Sequence, residues 1–245
     1  MRQSALLQLA AETAPQWASE VILPFPEKAF QTTQQFAARH YWIAAGSINI
    51  FRVVGTQHPD YIGRTWREFL EQGKHMPANH ALWEGNPGYY RETAPKKPGM
   101  AYVSLDGLDW FVGSADGPLL ECGNHRTCIA RFIFSTEGRT TLHGVTLSDW
   151  RVDANFLAAY RAIESLIHTQ HYGWRVKHKS VLVRREDTAG WHLDHFDNRA
   201  VVWFENNPPP RGFAPKDPNE YTTKDLQHLA DLASARPRRF RWHSR

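Results

Sequence analysis

Apolar residues follow helical spacing at the start of the chain, where Leu6, Leu7, Leu9 and Ala10 come after Ser4 and Pro15 breaks the pattern. From Tyr41 the pattern becomes strand-like. Tyr41-Trp-Ile43 and Ile48-Asn-Ile-Phe-Arg-Val-Val54 are rich in aromatic and β-branched residues, and Gly46-Ser47 between them predicts a hairpin. Thr65 to Gln72 reads as a short helix with Trp66, Phe69 and Leu70 on one side and Gly73 at its end. His75 to Gly99 holds four prolines and three glycines with no clear period, which predicts a long surface excursion. Extended segments follow at Ala101 to Leu105, Trp110 to Val112 and Leu119 to Cys122, the last two flanking a turn at Asp116-Gly-Pro118.

Gly123 closes that strand, a helix opens at Asn124 or His125, and Gly138 stops it. Its expected buried face is Ile129, Ala130, Phe132 and Ile133. Thr140 to Leu147 is extended again. Asp149 or Asp153 can cap the longest helix, Ala154 to His168, whose apolar face is Phe156, Leu157, Tyr160, Ile163, Leu166 and Ile167. Strands are expected at Trp174 to Lys177, Val181 to Val183 and Ala200 to Phe204. A Pro-rich break at Asn206 to Gly212 then precedes a final helix, Thr223 to Ala235. Interleaved strands and helices without repeats predict one α+β domain: an N-terminal helical extension over 1–39, a core over 40–205, and a C-terminal helix with a basic tail over 206–245.

Composition narrows the class. With 42% hydrophobic and 22% charged residues the chain is neither disordered nor fibrous. No run approaches the ~18 apolar residues that span a bilayer, so membrane insertion is not expected. The first residues are too polar for a secretion signal. The two cysteines, Cys122 and Cys128, would close a very small loop across a helix, so they read as reduced thiols and the compartment as cytoplasmic. The formal charge of +4 is unevenly spread, since the last ten residues carry five arginines and two aromatics. Arg236, Arg238, Arg239, Arg241 and Arg245 suit phosphate backbones, and Trp242 can stack on unpaired bases, which makes DNA a candidate partner. A solvated end is the alternative.

Candidate chemistry concentrates in Glu121-Cys-Gly-Asn-His-Arg-Thr-Cys-Ile-Ala-Arg-Phe132. Glycine allows close backbone approach, and the amides at a helix start favour an anion. Gly123, Asn124, His125, Arg126 and Thr127 therefore form a candidate phosphate-binding turn. Arg126 can clamp a phosphate with two donors and His125 can move a proton. The bland alternative is a good turn in which Asn124 caps the helix and His125 and Arg126 bond the sheet edge. Zinc at Cys122, His125 and Cys128 is disfavoured, because three ligands fall short and a helix would turn Cys128 away.

The stretch Asp109 to Phe132 resembles the core of the ParB/sulfiredoxin superfamily, in which a hairpin strand runs into Gly-x-(His/Arg)-Arg at a helix start. The resemblance spans roughly Ala101 to Val145, and Gly123, His125, Arg126 and Ala130 match its motif positions. It implies a ParB/sulfiredoxin-like mixed sheet with packed helices, and a bound nucleotide or nucleic-acid phosphate. Sulfiredoxins carry cysteine where Asn124 stands, so sulfinic-acid reduction is not expected. Partitioning ParB proteins carry Glu-Arg-Arg at the turn and usually a helix-turn-helix module after it, whereas here the turn reads Asn124-His125-Arg126 and the downstream sequence shows no clear helix-turn-helix pattern. The chain is most similar to the plasmid fertility-inhibition factors. That resemblance implies ATP hydrolysis and DNA cleavage that block transfer through a type IV secretion system, with its coupling protein as a partner. Glu121, His125 and Arg126 would then be catalytic: Glu121 as base or metal ligand, His125 as acid/base or phosphate ligand, Arg126 as clamp. The rival reading is a non-enzymatic nucleotide- or DNA-binding protein that occludes such a partner.

One further cluster, His192-Leu-Asp-His-Phe-Asp197, offers Asp194 and Asp197 as candidate magnesium ligands. In an extended chain His192 and Asp194 share one face, and His195 and Asp197 the other. A polar loop between strands is the alternative.

Overall fold

Helix formation starts where the sequence supplies caps. In the computed structural model, which describes residues 4–94, 103–106, 109–112, 123–170, 173–205 and 207–235, the Ser4 side chain accepts from the Leu7 amide and opens helix α1 (Ala5–Thr13). A 3-10 turn (Gln16–Ser19), strand β1 (Leu23–Pro24) and helix α2 (Glu27–Gln35) follow. Strand β2 (Ala37–Asn49), a 3-10 turn (Ile50–Arg52) and strand β3 (Gly55–Thr56) come next. Helix α3 (Trp66–Gln72) carries a capping box: Thr65 accepts from the Glu68 amide while Glu68 accepts from the Thr65 amide. After helix α4 (Met76–Gly85) and a 3-10 turn (Pro87–Tyr90) come strands β4 (Val103–Asp106) and β5 (Asp109–Val112) and helix α5 (Asn124–Glu137). The chain continues through strand β6 (Thr141–Val152), helix α6 (Ala154–Gln170), strands β7 (Trp174–Thr188), β8 (Trp191–Phe204) and β9 (Glu220–Tyr221), and helix α7 (Thr223–Ser234). The class is α+β.

Backbone proximity divides the chain into two compact units. One holds 1–33, 39–151 and 185–194; the other holds 34–38, 152–184 and 195–245. The division cuts across 40–205, which the sequence reads as one core.

The strands pair in the order β1-β3-β4-β5-β6-β2-β8-β7, with β1, β3, β4 and β5 wholly in the first unit. β1 and β3 are parallel, while β3-β4, β4-β5 and β5-β6 are antiparallel. The core of the first unit joins Leu6, Ile22, Ile50, Trp66, Phe69, Leu70 and Met76 to one element above all, α5. Every residue from Thr127 to Phe134 is buried, Arg131 included, because α1, α3 and α4 all pack on this helix. The expected amphipathic helix is thus buried all round, the position of a central core helix.

In the second unit α6 and α7 pack together over β8 residues Ala200 and Val202, and Phe36, Phe156, Tyr160, Ile163, Trp174 and Tyr221 complete the core. Asp153 opens α6 by accepting from the Phe156 amide at 3.0 Å, which selects it over Asp149 as the cap.

Four local expectations are corrected. Gly46 and Ser47 lie inside β2 and form no hairpin. A Cβ on Gly46 would lie 2.7 Å from both Ile43 Cγ2 and Leu147 Cδ1, so this glycine makes room for packing. The excursion from His75 contains α4, whose Pro77 sits in the first turn where proline is tolerated, so the prolines misled the reading. His192 to Asp197 is not a loop but the first half of β8. The segments Trp174 to Lys177 and Val181 to Val183 are likewise one strand, β7. Among the described residues no helix is long and apolar enough to cross a membrane.

Candidate functional site

The turn that starts α5 is built inside the first unit. Gly123 is the N-cap, with no side chain capping the helix, and Asn124 is the first helical residue, so Asn124 is not the cap. Its buried side chain instead accepts a 2.7 Å hydrogen bond from the Thr56 hydroxyl, which also accepts from the His58 amide at 3.0 Å. Thr127 is buried as well, and its hydroxyl donates to the Gly123 carbonyl at 2.9 Å. Both side chains hold the turn to β3 and to itself. Of the five residues in the candidate phosphate turn, only His125 and Arg126 are partly exposed.

Arg126 donates from Nη1 to the Tyr89 hydroxyl at 3.0 Å. It lines a cleft of about 320 Å³ together with Asn79, Leu82, Trp83, Asn86, Tyr89 and Tyr90. Apart from Arg126, every wall residue comes from α4, from the 3-10 turn after it, or from Asn86 between them. The Trp83 indole N–H has no hydrogen-bond partner among the described residues. Burial raises the Tyr90 hydroxyl far above its ordinary range, so it stays protonated. The cleft therefore joins a guanidinium to aromatic walls.

His125 points into a ring cluster. Its Nε2 shares a 3.1 Å hydrogen bond with the Tyr61 hydroxyl, and the rings of Tyr61, Phe69 and His75 lie 5.3, 5.3 and 5.7 Å away. Burial, reinforced by His75, His58 and Arg126, lowers its pKa to about 4. At neutral pH this imidazole is uncharged, so it can accept a proton but adds no cationic charge to a phosphate site. Cys128 is buried, and burial pushes its thiol well above the ordinary range, which leaves it unreactive. Glu121 and Cys122 lie outside the described residues, as do Arg236, Arg238, Arg239, Arg241, Trp242 and Arg245.

The expected Asp194 and Asp197 pair is not brought together. The two residues are three apart in β8 and so face opposite sides of it. Asp197 accepts from Arg199 Nε at 2.8 Å. Asp194 is buried, and Arg185 of β7 grips both its oxygens at 2.6 and 2.9 Å, which holds its carboxyl below the usual range. His192 shares its face, as alternation requires, with Nε2 3.8 Å from Asp194 Oδ2. His40 of the neighbouring β2 joins them, with Nδ1 also 3.8 Å from Asp194 Oδ2.

No family model, curated protein or solved structure matches the chain.

The sequence singles out Arg126 and His125 but none of the residues that surround them. Trp83, Tyr89 and Tyr90 fall in the segment read as irregular. The aromatic density of Trp83 and Tyr89-Tyr90 was the available signal, because small-molecule clefts are lined mostly by apolar and aromatic side chains. His40 carried no local signal, since its partners lie about 150 residues away in sequence.

Proposed function

We propose that this chain is a nucleotide-binding protein that holds a phosphate group at the first turn of α5. Its fold would be of the ParB/sulfiredoxin type, most like the plasmid fertility-inhibition factors. The observation that carries this reading is Arg126. Its guanidinium stands in the first turn of a 14-residue helix and lines a cleft walled by Trp83, Tyr89 and Tyr90. A helix start and a guanidinium favour a phosphate, while aromatic walls suit a purine ring. The 320 Å³ volume lies at the lower end of the range for small-molecule sites.

The finer parts rest on the sequence resemblance around Gly123 to Arg126. They are ATP hydrolysis, DNA cleavage, and cytoplasmic action against the coupling protein of a type IV secretion system. In this reading Arg126 clamps the phosphate, neutral His125 serves as base or hydrogen-bond partner, and Glu121 is a base or magnesium ligand. The arginine-rich tail from Arg236 follows the DNA backbone. Magnesium would arrive with the nucleotide phosphates. Asp194 and Asp197 would not chelate it as a pair, because opposite faces of β8 keep them apart.

Calorimetric titration with ATP, with and without magnesium, tests the reading, alongside phosphate release and plasmid nicking. Arg126→Ala removes a charge-assisted contact worth about 1.5–3 kcal/mol, so ATP affinity should fall tenfold or more in a folded variant. Equal affinity in variant and parent would overturn the proposal. ATP binding without phosphate release or nicking would favour a protein that acts by occlusion.

A further inference from the structure

Four neighbouring strands, in the order β6-β2-β8-β7, carry Ser148 and Trp150, His40 and Trp42, His192 and Asp194, and Arg185, all residues of the first unit, around one polar centre. We infer that His40, His192 and Asp194 form a binding site for one first-row divalent transition-metal cation of the zinc type. The site is separate from the Arg126 cleft and does not depend on the nucleotide reading.

Donor chemistry and geometry agree. Two imidazole nitrogens and one carboxylate suit zinc, cobalt or iron(II), whereas magnesium seeks oxygens alone. The three donor atoms lie within 4.8 Å of one another, and each imidazole nitrogen is 3.8 Å from Asp194 Oδ2. Ligand bonds of about 2.0–2.2 Å in a tetrahedron set donor atoms roughly 3.4 Å apart, so each imidazole–carboxylate pair has to close by about half an ångström.

The surroundings orient the donors. His40 Nε2 is hydrogen-bonded to the Ser148 hydroxyl at 2.9 Å; with the proton on Nε2, the Nδ1 lone pair faces Asp194. The His40 ring stacks on Trp150 at 3.8 Å and 11°, and His192 lies along Trp42 at 5.5 Å and 16°. Arg185 fixes the carboxylate plane through both oxygens and leaves Oδ2 a second lone pair. Its side chain is 49% exposed, so solvent screens the charge it would otherwise set against a cation. Buried Asp194 and half-buried His40 form the floor, while His192 at 26% exposure is the route of entry. Three protein ligands leave a fourth position for water, the arrangement of a reactive rather than a purely structural zinc centre.

The untagged full-length chain, stripped with a chelator, is titrated with Zn²⁺ by calorimetry and with Co²⁺ by visible absorption at pH 7.5. One cation per chain should bind, with a cobalt band that zinc removes. His192→Ala changes only a half-buried side chain and should weaken binding at least about a hundredfold; Ser148→Ala should weaken it about tenfold. His195→Ala and Asp197→Asn, on the other face of β8, should leave binding unchanged, as should His75→Ala beside His125. Absence of a cobalt band and of zinc binding in the parent overturns the inference. Undiminished affinity in folded His192→Ala does the same, and leaves His40, His192 and Asp194 as an ion-pair network alone.

Discussion

Two half-buried histidines make the stability of this protein sensitive to acid. Burial lowers both His40 and His125 to about 4, against an ordinary value of 6.5. Above pH 6.5 neither the folded nor the unfolded chain holds these protons. As pH falls below 6.5 the unfolded chain takes them up and the folded chain does not, so stability is lost progressively toward pH 4. The urea midpoint should therefore drop between pH 7 and pH 4.5, and His125→Gln should flatten part of that slope. An imidazole of His125 that titrates near 6.5 by NMR would contradict this picture. Arg131 behaves differently. Burial lowers it only to about 10, so it stays charged while fully enclosed. It donates to the Val53 carbonyl and lies over the rings of Trp17 and Trp66 at 4.6 and 4.2 Å. That set of contacts makes Arg131 part of the core, unlike Arg126 five residues earlier.

At the scale of elements, caps and close approaches explain where the pattern of the sequence succeeds. Thr65 with Glu68, Asp153, and Gly138 in the left-handed region at φ 64° start or stop their helices, and each is a local signal. β6 holds a feature no pattern shows. Gly144 has φ 74°, and a Cβ there would lie 1.9 Å from the Ala94 carbonyl oxygen. Gly144→Ala should therefore cost about 1–3 kcal/mol through backbone strain and displacement of the neighbouring chain. Thermal unfolding measures it, and a melting temperature equal to the parent's would show that the 94 segment moves aside without cost. By contrast, a Cβ at Gly138 meets nothing within 4 Å, so a substitution there carries only the strain of positive φ. α4 carries no clear signal because the prolines and glycines in and after it mask a helix whose Met76 and His80 are buried one turn apart.

For the whole molecule, each of the two units has a core of its own, one around α5 and the other around α6 and α7. The basic tail follows α7, with Pro237 unsuited to continuing a helix. Removing Arg236 to Arg245 takes away five arginines and leaves the residues of both cores in place. If the tail follows phosphates, truncation lowers DNA affinity and flattens its salt dependence, because fewer counterions are released. ATP affinity should stay the same. Salt titrations on single- and double-stranded DNA decide this: identical slopes for both chains would make the tail a solvated end, and a loss confined to single strands would point to stacking by Phe240 and Trp242.

By itself the sequence determined the α+β class, the helices α1, α3, α5, α6 and α7, and the Gly123 to Arg126 turn. These depend on periodicity, caps and glycine conformation within a few residues. Tertiary structure decided which of the turn residues face outward. Asn124 and Thr127 look as available as Arg126 in sequence, yet Thr56 and the Gly123 carbonyl take up their polar groups. It also decided that Gly46 packs instead of turning, since the atom that needs its space belongs to Leu147 on another strand. Asp194 and Asp197 looked like a pair because they are close in sequence. The period of two separates them, and pairing of β2 with β8 gives Asp194 a different companion in His40. Contacts between distant strands are set by how the whole chain buries its apolar surface, and no short window of residues carries that information.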